Sequence, residues 1–84
     1  MTQIAPERVN GVIAAVLNVP PDTLTPDTSP DTLKQWDSVS HLNLVVALEN
    51  EFQIAFTDDD VAEMLSVGLI HAIVAERAAE SARP

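Results

Sequence analysis

The sequence predicts an all-α protein, a small helical bundle of three longer helices plus one short helix, with a long loop between the first two. The 84 residues allow one domain, over 1–84, because an independently folding domain usually needs about 50 residues or more. Apolar residues make up 46% of the chain and recur in several segments at the helical spacings of three and four. Only two glycines and three aromatic residues are present, so the β signal is weak. We expect the ends, 1–5 and 80–84, to be frayed.

The first helix is predicted from Pro6 to Asn18. Proline suits a first helical turn, and apolar residues follow at spacings of three and four: Val9, Val12, Ile13, Val16 and Leu17. Residues 19–37 contain four prolines mixed with Thr, Ser and Asp, which predicts a long loop. Such loops in small domains are uncommon and are usually functional or specially anchored, and Leu24, Leu33 and Trp36 are the candidate anchors.

The second helix is predicted from Ser38 to Phe52, because Asp37 and Ser38 both offer N-cap chemistry and no helix breaker interrupts the stretch that follows. It carries two apolar rows. The first consists of Leu44, Leu48 and Phe52, with Val45 beside them, and the second consists of Val39, Leu42 and Val46. Since a core needs only one row, the second predicts either a wide buried face or a surface that something else covers.

A short connector follows this helix. The alternation of Phe52, Ile54 and Phe56 resembles a strand, but nothing else in the chain could pair with it, so we interpret it as an extended connector that fills the core. Thr57 offers an N-cap for a short third helix that ends near Leu65. Three acids follow this cap, where they face the positive end of the helix dipole: Asp58, Asp59 and Asp60.

The last helix is predicted to follow Ser66, which offers a cap. Its buried stripe comprises Val67, Ile70, Ile73 and Val74. His71 lies off this stripe and is predicted to be solvated. Ala78 and Ala79 are expected to lead into a frayed end.

The net charge of −9 lies entirely in the central half of the chain. Ten acids and one base lie between Asp22 and Glu63, whereas the flanks hold three acids and three bases. Such a field repels nucleic acid and anionic membranes, so neither is predicted as a partner, and it favours partners with basic surfaces. No cysteine is present, which excludes disulfides and thiolate chemistry by the chain itself. No segment approaches the ~20 apolar residues of a membrane helix, so we expect a cytoplasmic monomer.

Two clusters contain the residue types of a catalytic site or a metal site, but neither has the arrangement that such a site needs. Asp37, Ser38 and His41 are the residue types of a hydrolase triad, but Asp37 points away from the other two and so small a chain offers no evident substrate cleft. His41 is therefore predicted to be a surface histidine, and a hydrolase is the least favoured alternative. The acids of residues 58–63 lack the spacers and central glycine of a calcium loop, so no dedicated metal site is predicted.

Ser38 occupies an unusual position. It follows the long loop, opens the helix that carries the surplus apolar row, and lies in the acidic half. A phosphoester on its hydroxyl would lie where backbone N–H groups and the helix dipole favour an anion. From the residues alone, two interpretations stay open for Ser38: an attachment point, or only a helix cap.

The run Asp37-Ser38-Val39, preceded by Trp36 and followed by His41-Leu42-Asn43-Leu44, resembles the acyl carrier protein family of discrete, phosphopantetheine-dependent carriers. The resemblance covers nearly the whole chain, through residues 7–9, 24–27, 47–49, 51–52 and 66–67. It implies a single acyl carrier domain, with three longer helices and one short one and the cofactor serine at the start of the second helix. Ser38 would be that serine.

The resemblance also implies a function. A phosphopantetheinyl transferase would move 4′-phosphopantetheine from coenzyme A to Ser38, with Asp37 and Val39 in its recognition. The arm would then carry an acyl or related group as a thioester between enzymes of a pathway such as fatty acid or polyketide biosynthesis, and the chain itself would be a non-catalytic carrier. An acyl-activating ligase, synthase or acyltransferase with a basic surface would dock, in a salt-dependent way, on a partner-binding face. That face would comprise Val39, Leu42, Asn43, Val46, Glu49 and Asn50.

The sequence departs from the family pattern at three positions. Val39 stands where leucine is usual, and Asn43 and Asn50 are neutral where fatty-acid carriers often place acids. These differences concern the partners rather than attachment at Ser38, and they favour a specialised pathway. The alternative is a carrier-like acidic bundle that is not modified and acts as a protein-interaction module, in which Ser38 is only a cap.

Overall fold

The structure, a computed structural model, describes residues 5–81. Over that range it contains four α-helices and one short 3₁₀ turn: α1 (Pro6–Leu17), the turn (Pro21–Thr23), α2 (Ser38–Phe52), α3 (Asp58–Glu63) and α4 (Val67–Ser81). The described residues include no strand, and the prediction of three longer helices, one short helix and a long first loop is confirmed. The fraying of residues 1–5 and 80–84 stays a prediction, since residues 1–4 and 82–84 lie outside the described range and α4 ends at Ser81.

The core forms where one face each of α1, α2 and α4 meet. Its buried side chains are Val9, Ile13, Ala14 and Leu17 of α1, Leu44, Val45 and Leu48 of α2, Val67, Ile70, Ile73 and Val74 of α4, and Trp36, Ile54 and Met64 of the connections. Because these residues recur at spacings of three and four, each helix turns one apolar face inward. Phe52 was predicted in this set, but it lies at the margin, half-buried, with the Arg8 guanidinium 5.1 Å from its ring centroid.

Helices α1 and α2 both end at a residue with left-handed backbone. Asn18 has a φ of 58° and donates its N–H to the Ala14 carbonyl, and Gln53 has a φ of 55° and donates to the Glu49 carbonyl. This conformation turns the chain sharply out of a helix. After Gln53 the connector places Ile54 in the core, as predicted.

The long first loop is held by packing against the core and by hydrogen bonds to α4. Trp36 is buried, and Leu24 and Leu33 pack against the core, which confirms the three predicted anchors. The loop also supplies acceptors for two N–H groups of the first turn of α4, which have no partner within the helix. The Thr28 carbonyl accepts from the Val67 N–H (2.9 Å), and the Pro26 carbonyl accepts from the Gly68 N–H (3.0 Å). This approach is so close that a Cβ on Gly68 would lie 3.2 Å from the Pro26 oxygen. The loop is therefore a structural part of the bundle.

Helix α3 is short but well capped. The Thr57 hydroxyl accepts from the Asp60 N–H (3.1 Å), and the Asp60 carboxylate accepts from the Thr57 N–H (3.0 Å), which forms a capping box. Asp60 is 6% exposed and binds Arg77 of α4 through two hydrogen bonds, 2.8 Å to Nε and 3.2 Å to Nη2. The sequence alone predicts for Asp60 only the interaction with the helix dipole that its neighbours have. The helix ends at Glu63, before the predicted Leu65, because the chain leaves helical geometry at Met64.

One prediction about α4 needs correction and one is confirmed. His71 is half-buried, and its Nε2 lies 2.7 Å from the Asn10 side-chain oxygen of α1, so it joins two helices. Burial lowers the pKa of His71 because the charged imidazole loses solvent. Ala78 packs against the core, and the frayed end predicted to follow it stays a prediction. Ser66 caps the helix as predicted, since its hydroxyl accepts from the Leu69 N–H (3.2 Å).

Among the helices of residues 5–81, none combines the length and the apolar character needed to cross a membrane.

Candidate functional site

The structure shows which of the two candidates, Asp37 or Ser38, is the N-cap of α2. Asp37 is the N-cap: its side-chain oxygen accepts from the Ser40 N–H at 2.8 Å. This hydrogen bond is the main reason that the pKa of Asp37 is lowered, so the carboxylate is ionised at neutral pH. Ser38 is the first helical residue, and its hydroxyl is not needed for the cap. Ser38 is therefore not the N-cap of α2, and its role as an attachment point stays a prediction.

Ser38 is exposed and lies on the rim of a cleft of about 600 Å³. One wall is the first turn of α2 and the other is α3 with the residues just after it. The lining residues are Pro30, Trp36, Asp37, Ser38, His41, Leu42, Val61, Ala62, Met64 and Leu65. Trp36 and Met64 are buried and close the floor, whereas Leu42 and Leu65 are exposed at the mouth. The serine hydroxyl thus borders a mostly apolar hollow that is open to solvent.

His41 crosses this cleft and is not a surface histidine as predicted. Its Nδ1 lies 2.9 Å from Trp36 Nε1, and its Nε2 lies 3.0 Å from the Val61 carbonyl oxygen of α3. The indole N–H can only donate and the carbonyl can only accept, so these partners assign the neutral tautomer with hydrogen on Nε2. The two rings are also stacked, with centroids 6.1 Å apart. The sequence did not predict these two hydrogen bonds of His41, although a tryptophan and a histidine lie on either side of Ser38.

The same geometry argues against a Ser-His-Asp triad. Both ring nitrogens of His41 have partners other than Ser38, and the Asp37 carboxylate accepts from the Ser40 backbone instead of orienting His41. A triad needs the histidine to accept the serine proton and the aspartate to hold the histidine. The three residues therefore lie close together without forming a catalytic relay.

The second apolar row of α2 faces outward. Val39 is 68% exposed, Leu42 62% and Val46 55%, which resolves the choice that the sequence left between a wide core face and a free surface. Asn43 and Asn50 are exposed on the same helix. Three apolar side chains in one row on a small protein form a surface of the kind that partners or ligands cover.

The two acids of α2 are both engaged in contacts within the protein. Glu49 is half-buried, and its carboxylate accepts from the Phe56 N–H at 2.9 Å, so it holds the connector rather than standing free on the predicted partner-binding face. Glu51 pairs with Arg8 of α1 at 2.8 Å. Asp37 is an exposed acid that lines the cleft, and helix α3 carries three further exposed acids: Asp58, Asp59 and Glu63. The exposed row on α2 is consequently neutral and has acids beside it.

The described residues contain no group of three or more His, Asp or Glu side chains arranged to hold a metal ion. The run Asp58 to Asp60 instead serves α3, with Asp60 turned inward to Arg77 and the other two acids exposed in the first turn.

Comparisons with known proteins agree on one family. Residues 7–74 match the family described as phosphopantetheine attachment site. The chain is 30% identical over 77 residues to an acyl carrier protein of Picosynechococcus sp., covering 92% of this chain and 95% of the relative. It is also 30% identical over 61 residues to an acyl carrier protein of Thermosynechococcus vestitus, covering 73% of this chain and 75% of the relative. Its fold is similar to the solution structure of a holo acyl carrier protein from Geobacter metallireducens, with a TM-score of 0.81, 28% identity, and coverage of 90% and 87% of the two chains.

Proposed function

This chain belongs to the acyl carrier protein family, and we propose that Ser38 is the residue to which its 4′-phosphopantetheine is attached. As a member of the family the protein is a phosphopantetheine carrier and not a catalyst. The observation that supports Ser38 is its position: an exposed hydroxyl at the first residue of α2, released from capping by Asp37 and bordering an apolar cleft.

The position suits the attachment reaction. The Ser38 oxygen would attack the pantetheine-side phosphorus of coenzyme A, the phosphoanhydride bond would break, and adenosine 3′,5′-bisphosphate would leave while the serine proton passes to the transferase. The phosphate formed on Ser38 would lie at the N-terminus of a 15-residue helix, where the dipole favours an anion. When bound, the arm supplies the thiol that holds an acyl group as a thioester, a group the cysteine-free chain lacks.

Asp37 would act in this reaction by orientation. Its hydrogen bond to the Ser40 N–H fixes the backbone of the first turn of α2, and this turn directs Ser38 outward. Its ionised carboxylate would be a group that the transferase recognises. Val39, next along the chain and 68% exposed, would supply apolar contact to the same enzyme.

Family members interact with phosphopantetheinyl transferases and synthase enzymes. For this chain we place the docking face on the exposed row of α2, with Val39, Leu42 and Val46 as its apolar centre and Asn43 and Asn50 as neutral hydrogen-bonding groups. Basic residues of a ligase, synthase or acyltransferase would meet the acids of α3 rather than Glu49, which is occupied by Phe56. A cytoplasmic location and a monomeric state stay predictions from the sequence.

The test of Ser38 is the intact mass of the protein after incubation with coenzyme A, magnesium and a broad-specificity phosphopantetheinyl transferase. We expect a gain of one phosphopantetheinyl group in the parent and in Ser40→Ala, and none in Ser38→Ala. Ser40 is the matched control because it lies on the same helical turn and is half-buried. Circular dichroism would establish that both variants fold.

Modification of Ser38→Ala would overturn the assignment. If neither the parent nor Ser40→Ala is modified by several transferases, the unmodified interaction module becomes the favoured function, and its partner would be sought on the exposed row of α2.

A further inference from the structure

We propose that Lys34 is a modification site: the thioester on the Ser38 arm passes its acyl group to the Lys34 amine, where the group stays as an amide. The proposal rests on the attachment at Ser38 argued above. Its basis is that Lys34 is the only lysine in the sequence, is exposed, and lies four residues before Ser38.

Lys34 is held close to Ser38 by the end of the first loop. It lies in a tight turn, in which the Trp36 N–H donates to the Leu33 carbonyl at 3.1 Å. Trp36 is buried and Leu33 packs against the core, so the residues on both sides fix this turn. Because only four residues of backbone join Lys34 to Ser38, their Cα atoms can be at most about 15 Å apart, whatever path the chain takes between them.

The arm is long enough to cover this distance. About 13 covalent bonds separate its phosphorus from its sulfur, as many as in four residues of backbone, so its extended reach is about 15 Å. The lysine side chain adds its own length from the other side. Since both residues are exposed, the thioester carbon and Nζ of Lys34 can meet without any movement of the helices.

Lys34 is also the strongest free nucleophile beside the arm. The chain has no cysteine and no tyrosine, and both ring nitrogens of His41 have hydrogen-bond partners. In the part of the chain that the structure describes, the four ion pairs all belong to Arg8 or Arg77, and none involves Lys34. The Lys34 amine is therefore not held by a carboxylate.

The transfer balances without any co-reactant. The uncharged Lys34 amine attacks the thioester carbonyl carbon, the carbon–sulfur bond breaks, and the proton that the nitrogen loses ends on the sulfur. The products are an amide on Lys34 and a free thiol on the arm, which can be loaded again. The step also removes the one basic charge between Asp22 and Glu63, so the surroundings of Ser38 become more acidic.

The experiment loads the parent with acetyl groups from acetyl-coenzyme A and a broad-specificity phosphopantetheinyl transferase, and confirms loading by intact mass. After removal of free acetyl-coenzyme A, the protein is incubated at about pH 8.5, where more of a lysine amine is uncharged than at neutral pH. Hydroxylamine then cleaves every remaining thioester but not an amide. We expect one acetyl group to stay, tandem mass spectrometry to place it on Lys34, and its rate of formation to be independent of the protein concentration.

Three variants isolate the tethered lysine. Lys34→Arg keeps the charge but not the nucleophile, and it should retain no acetyl group. Gln53→Lys added to Lys34→Arg places a lysine at the other end of α2, about 22 Å from Ser38 along the helix axis. Because the arm spans that distance poorly, this double variant should retain about tenfold less acetyl than the parent. Ser38→Ala in about 10 μM acetyl-coenzyme A should be acetylated about 100-fold more slowly than the loaded parent, since a tether gives a millimolar effective concentration.

Four results would each overturn the proposal. They are a loaded parent that retains no acetyl group after hydroxylamine, an acetyl group found on another residue, equal retention in either variant that lacks Lys34, and a rate that scales with the protein concentration. Failure of the parent to load would instead refute the attachment at Ser38.

Discussion

Replacing Asp60 with asparagine tests whether the buried pair with Arg77 holds α3 to α4. Asp60 is 6% exposed and its carboxylate accepts from the Thr57 N–H and from two nitrogens of Arg77. Asparagine keeps the shape of aspartate, but its NH₂ group replaces one acceptor oxygen. That donor would then face an N–H donor of Thr57 or Arg77. One charge-assisted hydrogen bond contributes about 1.5–3 kcal/mol, so we expect Asp60→Asn to lower the free energy of unfolding by about 2 kcal/mol. Arg77 is partly exposed and also contacts Glu76 and Glu80, which keeps the loss below that of a fully buried pair.

Thermal and urea unfolding followed by circular dichroism would measure this loss. For a domain of this size, about 2 kcal/mol corresponds to a fall of roughly 10 °C in the melting temperature. Asp59→Asn is the matched control, because Asp59 is exposed in the same turn and should matter by only a few tenths of a kcal/mol.

The pH dependence of the Asp60 effect has a defined sign. The Thr57 N–H, and then Arg77, lower the pKa of Asp60 in the folded protein. Its stabilisation is therefore complete above about pH 4, the pKa of an unfolded aspartate, and is lost as the pH falls through the lower folded value. The difference between the parent and Asp60→Asn should shrink in acid. A loss no larger than that of Asp59→Asn at neutral pH would refute the reasoning.

Three further predictions concern stability. Ser38→Ala should leave the free energy of unfolding within about 0.5 kcal/mol of the parent. Asp37→Ala should be the more destabilising of the two, because Asp37 is the cap. If urea unfolding gave the opposite order of stability, this assignment of the cap would be contradicted. Gly11→Ala should raise the free energy of unfolding by about 1 kcal/mol, since the added Cβ of this helical residue meets no other atom. Gly68→Ala should not raise it, because the added Cβ would lie 3.2 Å from the Pro26 oxygen. Equal gains would show that the loop moves away from the added Cβ at no cost. Burial lowers the pKa of His71, so the folded state resists protonation and stability should fall as the pH drops below about 6.5. His71→Gln can keep the contact with Asn10 and should show a weaker fall between about pH 7.5 and 5.5; equal urea midpoint shifts would count against the burial argument.

The helices and their inward faces could be predicted because the information is local. Spacings of three and four identified the buried rows of α1 and α4 and most of that of α2, and Thr57 and Ser66 identified two caps that the structure confirms. The sequence also singled out the start of α2 through the run from Trp36 to Leu44. It could not divide the roles of Asp37 and Ser38, because both residue types cap helices and only the backbone path selects one of them.

Most of the errors concern polar side chains whose partners lie elsewhere in the sequence. His41 and His71 look like solvated residues until α3 and α1 pack beside them, and Asp60 looks like its neighbours until α4 brings Arg77 within 2.8 Å. Glu49 likewise turns to the connector only after Gln53 reverses the chain. The sequence by itself determined the all-α class, the helix positions and the family, because periodicity, caps and motif run along the chain. Only the tertiary structure decided which polar groups meet across it and gave Ser38 its cleft, because a hydrogen bond between 41 and 61, or between 60 and 77, depends on how helices pack rather than on local preference.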